Sequence, residues 1–538
     1  MDRPRIQLPQ GTVVGLTLTD DLPQPVESFR GVPFALPPTG DRRFRAAEPV
    51  KPNPDATIDA SQYGPAAPGK PLFAGGPKLD YSEDCLTANI FRKPLSGQAS
   101  TQLLPVALYV HGGAFNRGTS CMHNTASMVA YSDVPYVAVS FNYRLGALGF
   151  LPSSVTAKEG ALNLGLKDQI LMFEWVRDNI TAFGGDPNNV TLFGLSAGAH
   201  SIGHHMMNYK EGEAPLYHRV IIESGATTSR AVRPYNAEVH ESQFRDFLKE
   251  AGVPESLSDD EVLPYLRSSV SYDEICRAQT AVFDKYNPSL RWAFQPVIDG
   301  EIIPRPPLET WRSGKWHKVP IMTGFTRNEG SIYVNKQLST SSGFSKFFAE
   351  LVPLNEEEVE VLNALYPDPA KTADSPYIES RDGVGSQYKR VEAAYANYAY
   401  QGPVRQTAEF ASAASVPVFL YQWALEGSVI DGARHGDNMK YEFCDPKIMA
   451  SSQTQAELAK ALNAYVAGFI TSGDPNSADS KLPKWEQYHQ DAPRAMVFGL
   501  NNKELVGGQP GPAAEMMDDT WARKESEFWW SKVEKSQQ

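Results

Sequence analysis

Short apolar runs rich in β-branched residues recur along the chain, each bounded by turn residues and separated by patterns of helical period. Residues 105–110, 134–142, 190–193, 219–223, 319–323 and 416–422 are such runs. Strands buried on both faces lose the usual apolar/polar alternation. These runs therefore predict an α/β fold with a mostly parallel central sheet and helices on both faces. Residues 11–34 add shorter β-like runs, followed by a proline-rich stretch. Residues 171–182 read as an amphipathic helix stopped by Gly184, Gly185, Asp186 and Pro187, and residues 455–470 as another ended at Gly473. Segments 226–318 and 331–415 carry charged helical patterns with few strand signals. They predict helical insertions over the carboxyl end of the sheet, where α/β folds bind ligands. With no repeat or linker, the expectation is one domain over residues 1–538.

Composition narrows the partners. A net charge of −13 without a basic stripe argues against nucleic acid. No apolar run has the length of a bilayer span. Residues 1–7 lack an apolar stretch, so no signal peptide is expected, although a chain trimmed of its leader would read the same. Cys85, Cys121, Cys276 and Cys444 lack C-x-x-C spacing, which predicts neither a metal site nor a disulfide scaffold. The sequons at Asn179 and Asn189 flank a core strand and read as chance matches. An intracellular setting is expected.

The chemistry concentrates at Gly194, Leu195, Ser196, Ala197 and Gly198, where a buried strand turns into a helix through Gly-x-Ser-x-Gly. A serine in that turn sits in a strained elbow with its hydroxyl above the sheet and a helix N-terminus behind it. The same serine could instead merely cap the helix. A nucleophilic serine needs a base and a third group that fixes the base. Among ten histidines, His435 lies in a polar, glycine-flanked loop after a late strand. Glu329 follows residues 319–324 and supplies a carboxylate between the serine and the histidine in chain order. His200 and His204 have the spacing of paired metal ligands, but no third ligand accompanies them, so packing is expected. Arg327 reads as a solvated charge. The backbone N–H of Ala197 and a glycine turn at His111, Gly112, Gly113 and Ala114 are the candidate oxyanion donors.

Taken together, these motifs resemble the type-B carboxylesterase/lipase family of α/β-hydrolases, which includes cholinesterases and fungal lipases. Phe29 to Pro38 (FRGVPFALPP) resembles its N-terminal signature, and Ser82 to Leu86 (SEDCL) its second. Residues 142–146, 165–169, 183–187, 328–330 and 435–436 continue the likeness over most of the chain. The resemblance implies Ser196 as nucleophile, Glu329 as acid, His435 as base, and the N–H groups of Gly113, Ala114 and Ala197 as the oxyanion hole. It also implies structural ion pairs Arg43–Glu83 and Arg144–Asp168. The implied activity is hydrolysis of a small-molecule carboxylic ester through an acyl-enzyme, with no cofactor or metal.

The chain departs from the family pattern in three places. Cys85 is its first cysteine, so the family's early disulfide cannot form, which fits a reducing compartment and leaves the loop around residues 66–84 less constrained. Leu195 stands where the family often has glutamate. Residues 70–80 hold no tryptophan of the kind cholinesterases use for choline, so a cholinesterase is not expected. Two other readings stay open: an acyltransferase or thioesterase that resolves the same acyl-enzyme with another acceptor, and a non-catalytic scaffold.

Overall fold

The computed structural model describes residues 3–71, 75–95, 102–229, 232–479 and 481–536. In chain order its strands are β1 (Arg5–Leu8), β2 (Gly11–Val14), β3 (Leu16–Leu18), β4 (Val26–Pro33), β5 (Thr57–Asp59), β6 (Thr87–Arg92) and β7 (Leu104–Val110). Then follow β8 (Val137–Phe141), β9 (Gly185–Leu195), β10 (Arg219–Glu223), β11 (Ile321–Thr326), β12 (Val418–Trp423), β13 (Arg494–Phe498) and β14 (Ala514–Asp518). Eleven of them form one sheet in the order β14-β13-β12-β11-β10-β9-β7-β8-β6-β4-β3. From β8 through β13 neighbouring strands run parallel, and the antiparallel strands lie at the two edges. A small separate sheet holds β1, β2 and β5.

The uninterrupted apolar runs exist because each strand feeds two cores. Val106, Leu108 and Val110 of β7 enter one, and Ala107 and Tyr109 the other. The helix after Ser196, Ala197–Met207, packs Ile202 and Met206 into the first core, and Gln453–Ser472 packs Leu462, Val466 and Phe469 into the second. Helices thus cover both faces. The fold is that of an α/β-hydrolase.

The structure refines several sequence boundaries. The helix expected at residues 171–182 spans Leu164–Asn179, because Leu164 and Leu166 are core residues and Gly165 continues the helix rather than breaking it. Gly165 allows a close approach, since a Cβ there would come within 2.4 Å of the Phe150 ring. Strand β6 escaped the hydrophobic pattern through Thr87, Asn89 and Arg92. Asn89 and Arg92 are buried with partners instead, Asn89 donating to Ser120 Oγ at 2.9 Å and Arg92 Nε to Glu27 Oε2 at 2.8 Å. Strands β13 and β14 lie at an edge, where the apolar signal is weaker.

Segments 226–318 and 331–415 contain helices and no named strand among the described residues. Ser258 with Glu261, Ser271 with Glu274, and Asn355 with Glu358 form capping boxes there. The second segment builds its own core around Phe344, Phe348 and Tyr366, closed by Trp529 from the C-terminal region. Residues 72–74 of the early loop lie outside the described residues. The remainder is pinned by Ala66 N–H to Asp80 O at 2.8 Å, Ser82 N–H to Ala66 O at 3.0 Å and Lys70 N–H to Asn116 O at 2.8 Å. No helix among the described residues is long and apolar enough to cross a membrane.

Candidate active site

Ser196 follows β9 at the N-cap position of the next helix, with φ 58° and ψ −122°. Its side chain makes no capping hydrogen bond, so the simple cap is not what the turn is for. A positive φ costs a residue with a Cβ on the order of 1 kcal/mol, and the surroundings enforce it here. Ser196 N–H donates to Glu223 O at 2.9 Å, and His200 N–H to Ser196 O at 2.8 Å. The flanking glycines are obligatory by contact. A Cβ on Gly194 would meet Val110 O at 2.6 Å, and one on Gly198 would meet the same oxygen at 2.0 Å.

Ser196 and His435 line the same cavity, of about 620 Å³, at the carboxyl end of the parallel strands. His435 Nδ1 pairs with Glu329 Oε2 at 2.5 Å, while Glu329 Oε1 accepts the Thr326 N–H at 2.8 Å. Glu329 is wholly buried. The loops carrying Glu329 and His435 are zipped together: Asn328 N–H donates to Ala433 O at 2.9 Å, and Ala433 N–H to Asn328 Oδ1 at 3.0 Å. Gly113 and Ala114 also line the cavity, with φ of 119° and 56°. Among the described residues, no acceptor takes the N–H of Gly113, Ala114 or Ala197. His111 braces this turn. Its ring stacks on Tyr143 at 4.4 Å, and Tyr143 O–H donates to His111 O at 2.7 Å. Burial drives the His111 pKa down to about 4, so the ring is neutral at pH 7.

Several supporting residues carry no sequence signal. Tyr333 and Tyr400 flank the His435 ring at 5.4 and 4.7 Å between centroids. Tyr400 lies in a π-helical turn, Asn397–Gln401, and Gln401 Nε2 donates to both Thr326 O and Arg327 O at 3.0 Å. Beside Glu329 lies a second buried carboxyl, Glu392, whose Oε2 accepts from Asn328 Nδ2 at 3.2 Å. Burial raises its pKa to about 8, with Glu329 adding to the effect. Beneath the serine, Glu223 accepts from Tyr421 O–H at 2.6 Å and Asn438 Nδ2 at 3.0 Å and adjoins Glu442. Burial raises the pKa of both glutamates, and each raises the cost of ionising the pair where the helix after His435 meets β10. Only the assembled tertiary structure brings these carboxyls together.

The remaining predicted residues have plain roles. Arg327 is not a solvated charge: it is half-buried, stacks on Trp521 at 5.2 Å and donates to Gln422 Oε1 at 3.3 Å. Tertiary packing against the C-terminal segment overrides the polar local context. His200 Nδ1 lies 2.9 Å from Ala226 O, and His205 Nε2 2.8 Å from Gln169 Oε1. Among the described residues, no three His, Cys, Asp or Glu side chains gather as a metal site. Arg43 grips Glu83 through two hydrogen bonds of 2.6 and 2.7 Å, and Arg144 grips Asp168 at 2.8 and 2.6 Å, all buried and away from the cavity. They fasten loops.

Residues 2–529 match the model of the carboxylesterase family. The chain is 35% identical over 532 residues to secreted lipase 4 of Gibberella zeae, covering 98% of this chain and 92% of the relative. It is 30% identical over 507 residues to lipase 1 of Geotrichum candidum, covering 86% of each. The crystal structure of Aspergillus niger EstA superposes with a TM-score of 0.82 at 26% identity, covering 100% of this chain and 99% of that one.

Proposed function

The chain belongs to the carboxylesterase family, serine hydrolases that cleave carboxylic esters through an acyl-enzyme, and on that premise we propose that Ser196, His435 and Glu329 are its catalytic triad. Ser196 Oγ attacks the ester carbonyl while His435 Nε2 accepts the hydroxyl proton. Glu329 accepts a hydrogen bond from His435 Nδ1–H, holding the tautomer that leaves Nε2 free and stabilising the imidazolium. The N–H groups of Gly113, Ala114 and Ala197 bind the oxygen that becomes negative, in a turn fixed before substrate arrives. The tetrahedral intermediate then expels the alcohol, which takes its proton from His435. Water, deprotonated by His435, attacks the acyl-serine and releases the acid. The observation that carries this reading is the uncapped, positive-φ Ser196 in one cavity with His435, whose Nδ1 pairs with the buried Glu329 behind it.

The same proposal treats the chain as one catalytic unit, in which segments 226–318 and 331–415 are insertions that roof the sheet. Tyr333 from the second insertion lines the cavity, and Phe283 and Trp292 from the first pack on Ala114. An intracellular setting is supported by four free thiols, three of them buried.

The test is Ser196→Ala with p-nitrophenyl butyrate. Turnover should fall on the order of a million-fold with the melting temperature retained, and an organophosphate should label the wild type once, on the peptide containing Ser196. Retained hydrolysis, or labelling on another residue, overturns the assignment.

A further inference from the structure

The protein carries a net charge of −13, yet the cavity at Ser196 is locally positive. Arg30, Arg117, Arg434 and Lys440 line it against two carboxylates, Asp437 and Asp445. Arg434 is committed to Asp437, Nε to Oδ1 at 2.8 Å. Arg30, Arg117 and Lys440 form no ion pair among the described residues. Arg43, Arg92, Arg144 and Arg405, all buried, each hold a carboxylate at 2.6–2.8 Å, whereas the half-buried Arg327 stacks on Trp521 without one. An unpaired guanidinium in a partly buried site is costly, because it gives up hydration and receives no counter-charge.

Arg30 is the most constrained of the three. Its guanidinium stacks on the Tyr63 ring at 4.7 Å, and Tyr63 lines the same cavity. Its Nε is buried and has no acceptor. The Nε is shut off from the cavity, so the Nη1–Nη2 edge of the stacked guanidinium is the planar fork that a carboxylate would fill with two parallel hydrogen bonds. Arg117 packs over Phe283 at 5.8 Å, and Lys440 is exposed, so both add attraction without a fixed geometry.

We propose that this enzyme is selective for esters bearing a carboxylate at the end remote from the scissile bond, and that Arg30 binds that carboxylate. The substrate class is the half-esters of dicarboxylic acids or the esters of hydroxy acids, according to which side of the ester carries the anion. This rests on Ser196 being the nucleophile of the cavity. Arg30 is a specificity residue and takes no part in bond making.

The experiment uses the full chain and measures kcat/KM for p-nitrophenyl hydrogen adipate, pimelate and suberate against their methyl-capped diesters. A second series uses butyrate esters of ω-hydroxy acids against their methyl-capped forms. In at least one series the anionic ester should be favoured by about tenfold or more, chiefly through KM, corresponding to about 1.4 kcal/mol. The advantage should shrink as salt is raised. Arg30→Gln should remove it while leaving the capped esters within about twofold, and Arg30→Lys should restore part of it. The capped esters also report folding, because a misfolded variant loses both activities, and Arg30→Met would then replace it in the same comparison. If wild type hydrolyses capped and anionic esters equally in both series, or the preference survives in the Arg30 variants, the inference is overturned. If wild type hydrolyses neither and Ser196 is unlabelled by organophosphate, the failure belongs to the triad assignment.

Discussion

Two buried glutamates near His435, the proposed base, invite the same substitution and should answer it oppositely. Glu329 accepts the Thr326 N–H with one oxygen and pairs with His435 Nδ1 through the other. In Glu329→Gln the side chain has one acceptor and one NH₂. Keeping the oxygen on Thr326 turns the NH₂ toward Nδ1, which must then be the acceptor, so the ring proton moves to Nε2 and the base can no longer take the serine proton. The flipped amide would set two donors face to face in a fully buried pocket, at a cost of about 1–3 kcal/mol, so the inactive arrangement prevails. Turnover should fall on the order of 10⁴-fold at neutral pH. Glu392 differs because burial lifts its pKa to about 8, so at pH 7 it is already a neutral acid, with one oxygen on Asn328 and the other without a partner. An amide reproduces that state, and Glu392→Gln should keep kcat/KM within about threefold. The stability sign follows from the raised pKa. The folded chain holds this proton to about pH 8 and the unfolded chain only to about 4.5. The contribution of the neutral form is therefore complete below the unfolded value and is lost as pH rises toward the folded one, at about 1.4 kcal/mol per pH unit. Urea unfolding across that window should show Glu392→Gln gaining on wild type with rising pH. Equal activity losses in the two variants, or an active Glu329→Gln, would refute the assignment of roles.

Ala114→Gly should leave the melting temperature nearly unchanged, because relief of a left-handed φ of 56° and loss of a methyl packed on Phe283 and Trp292 are each about 1 kcal/mol and opposite in sign. It should raise the kcat/KM ratio for tert-butyl over n-butyl acetate about tenfold, and an unchanged ratio would mean that Ala114 does not border the alcohol side of the site. Thiol titration under denaturing, non-reducing conditions should count four, and in the native protein the half-buried Cys276 should react first. A count of two or fewer would remove the argument for a reducing compartment.

The class of fold was legible in the sequence because strands buried on both faces must be apolar throughout, and nothing but a helix-covered parallel sheet accounts for six such runs. The elbow was legible too, since Gly194 and Gly198 are demanded by contacts within a few residues of Ser196 and with the neighbouring β7. Glu329 and His435 could be nominated from chain order alone. Their pairing required β11 and β12 to lie side by side so that the Asn328 and Ala433 backbones could meet. What surrounds them was invisible in one dimension. Glu392 reaches the site from the helix Tyr388–Ala396 of the second insertion, and Tyr400 and Gln401 from the π turn that follows it. Glu223 and Glu442 acquire raised pKa values only because folding removes them together from water. Arg30 sits in a stretch that reads as a strand in the N-terminal signature, and Arg327 beside Glu329. Tertiary structure stacked Arg327 on Trp521 and left Arg30 without a counter-ion in the cavity. Local sequence dictates which way a chain turns and which faces must be buried. The company a charged side chain keeps is decided by residues hundreds of positions away, and so therefore is its chemistry.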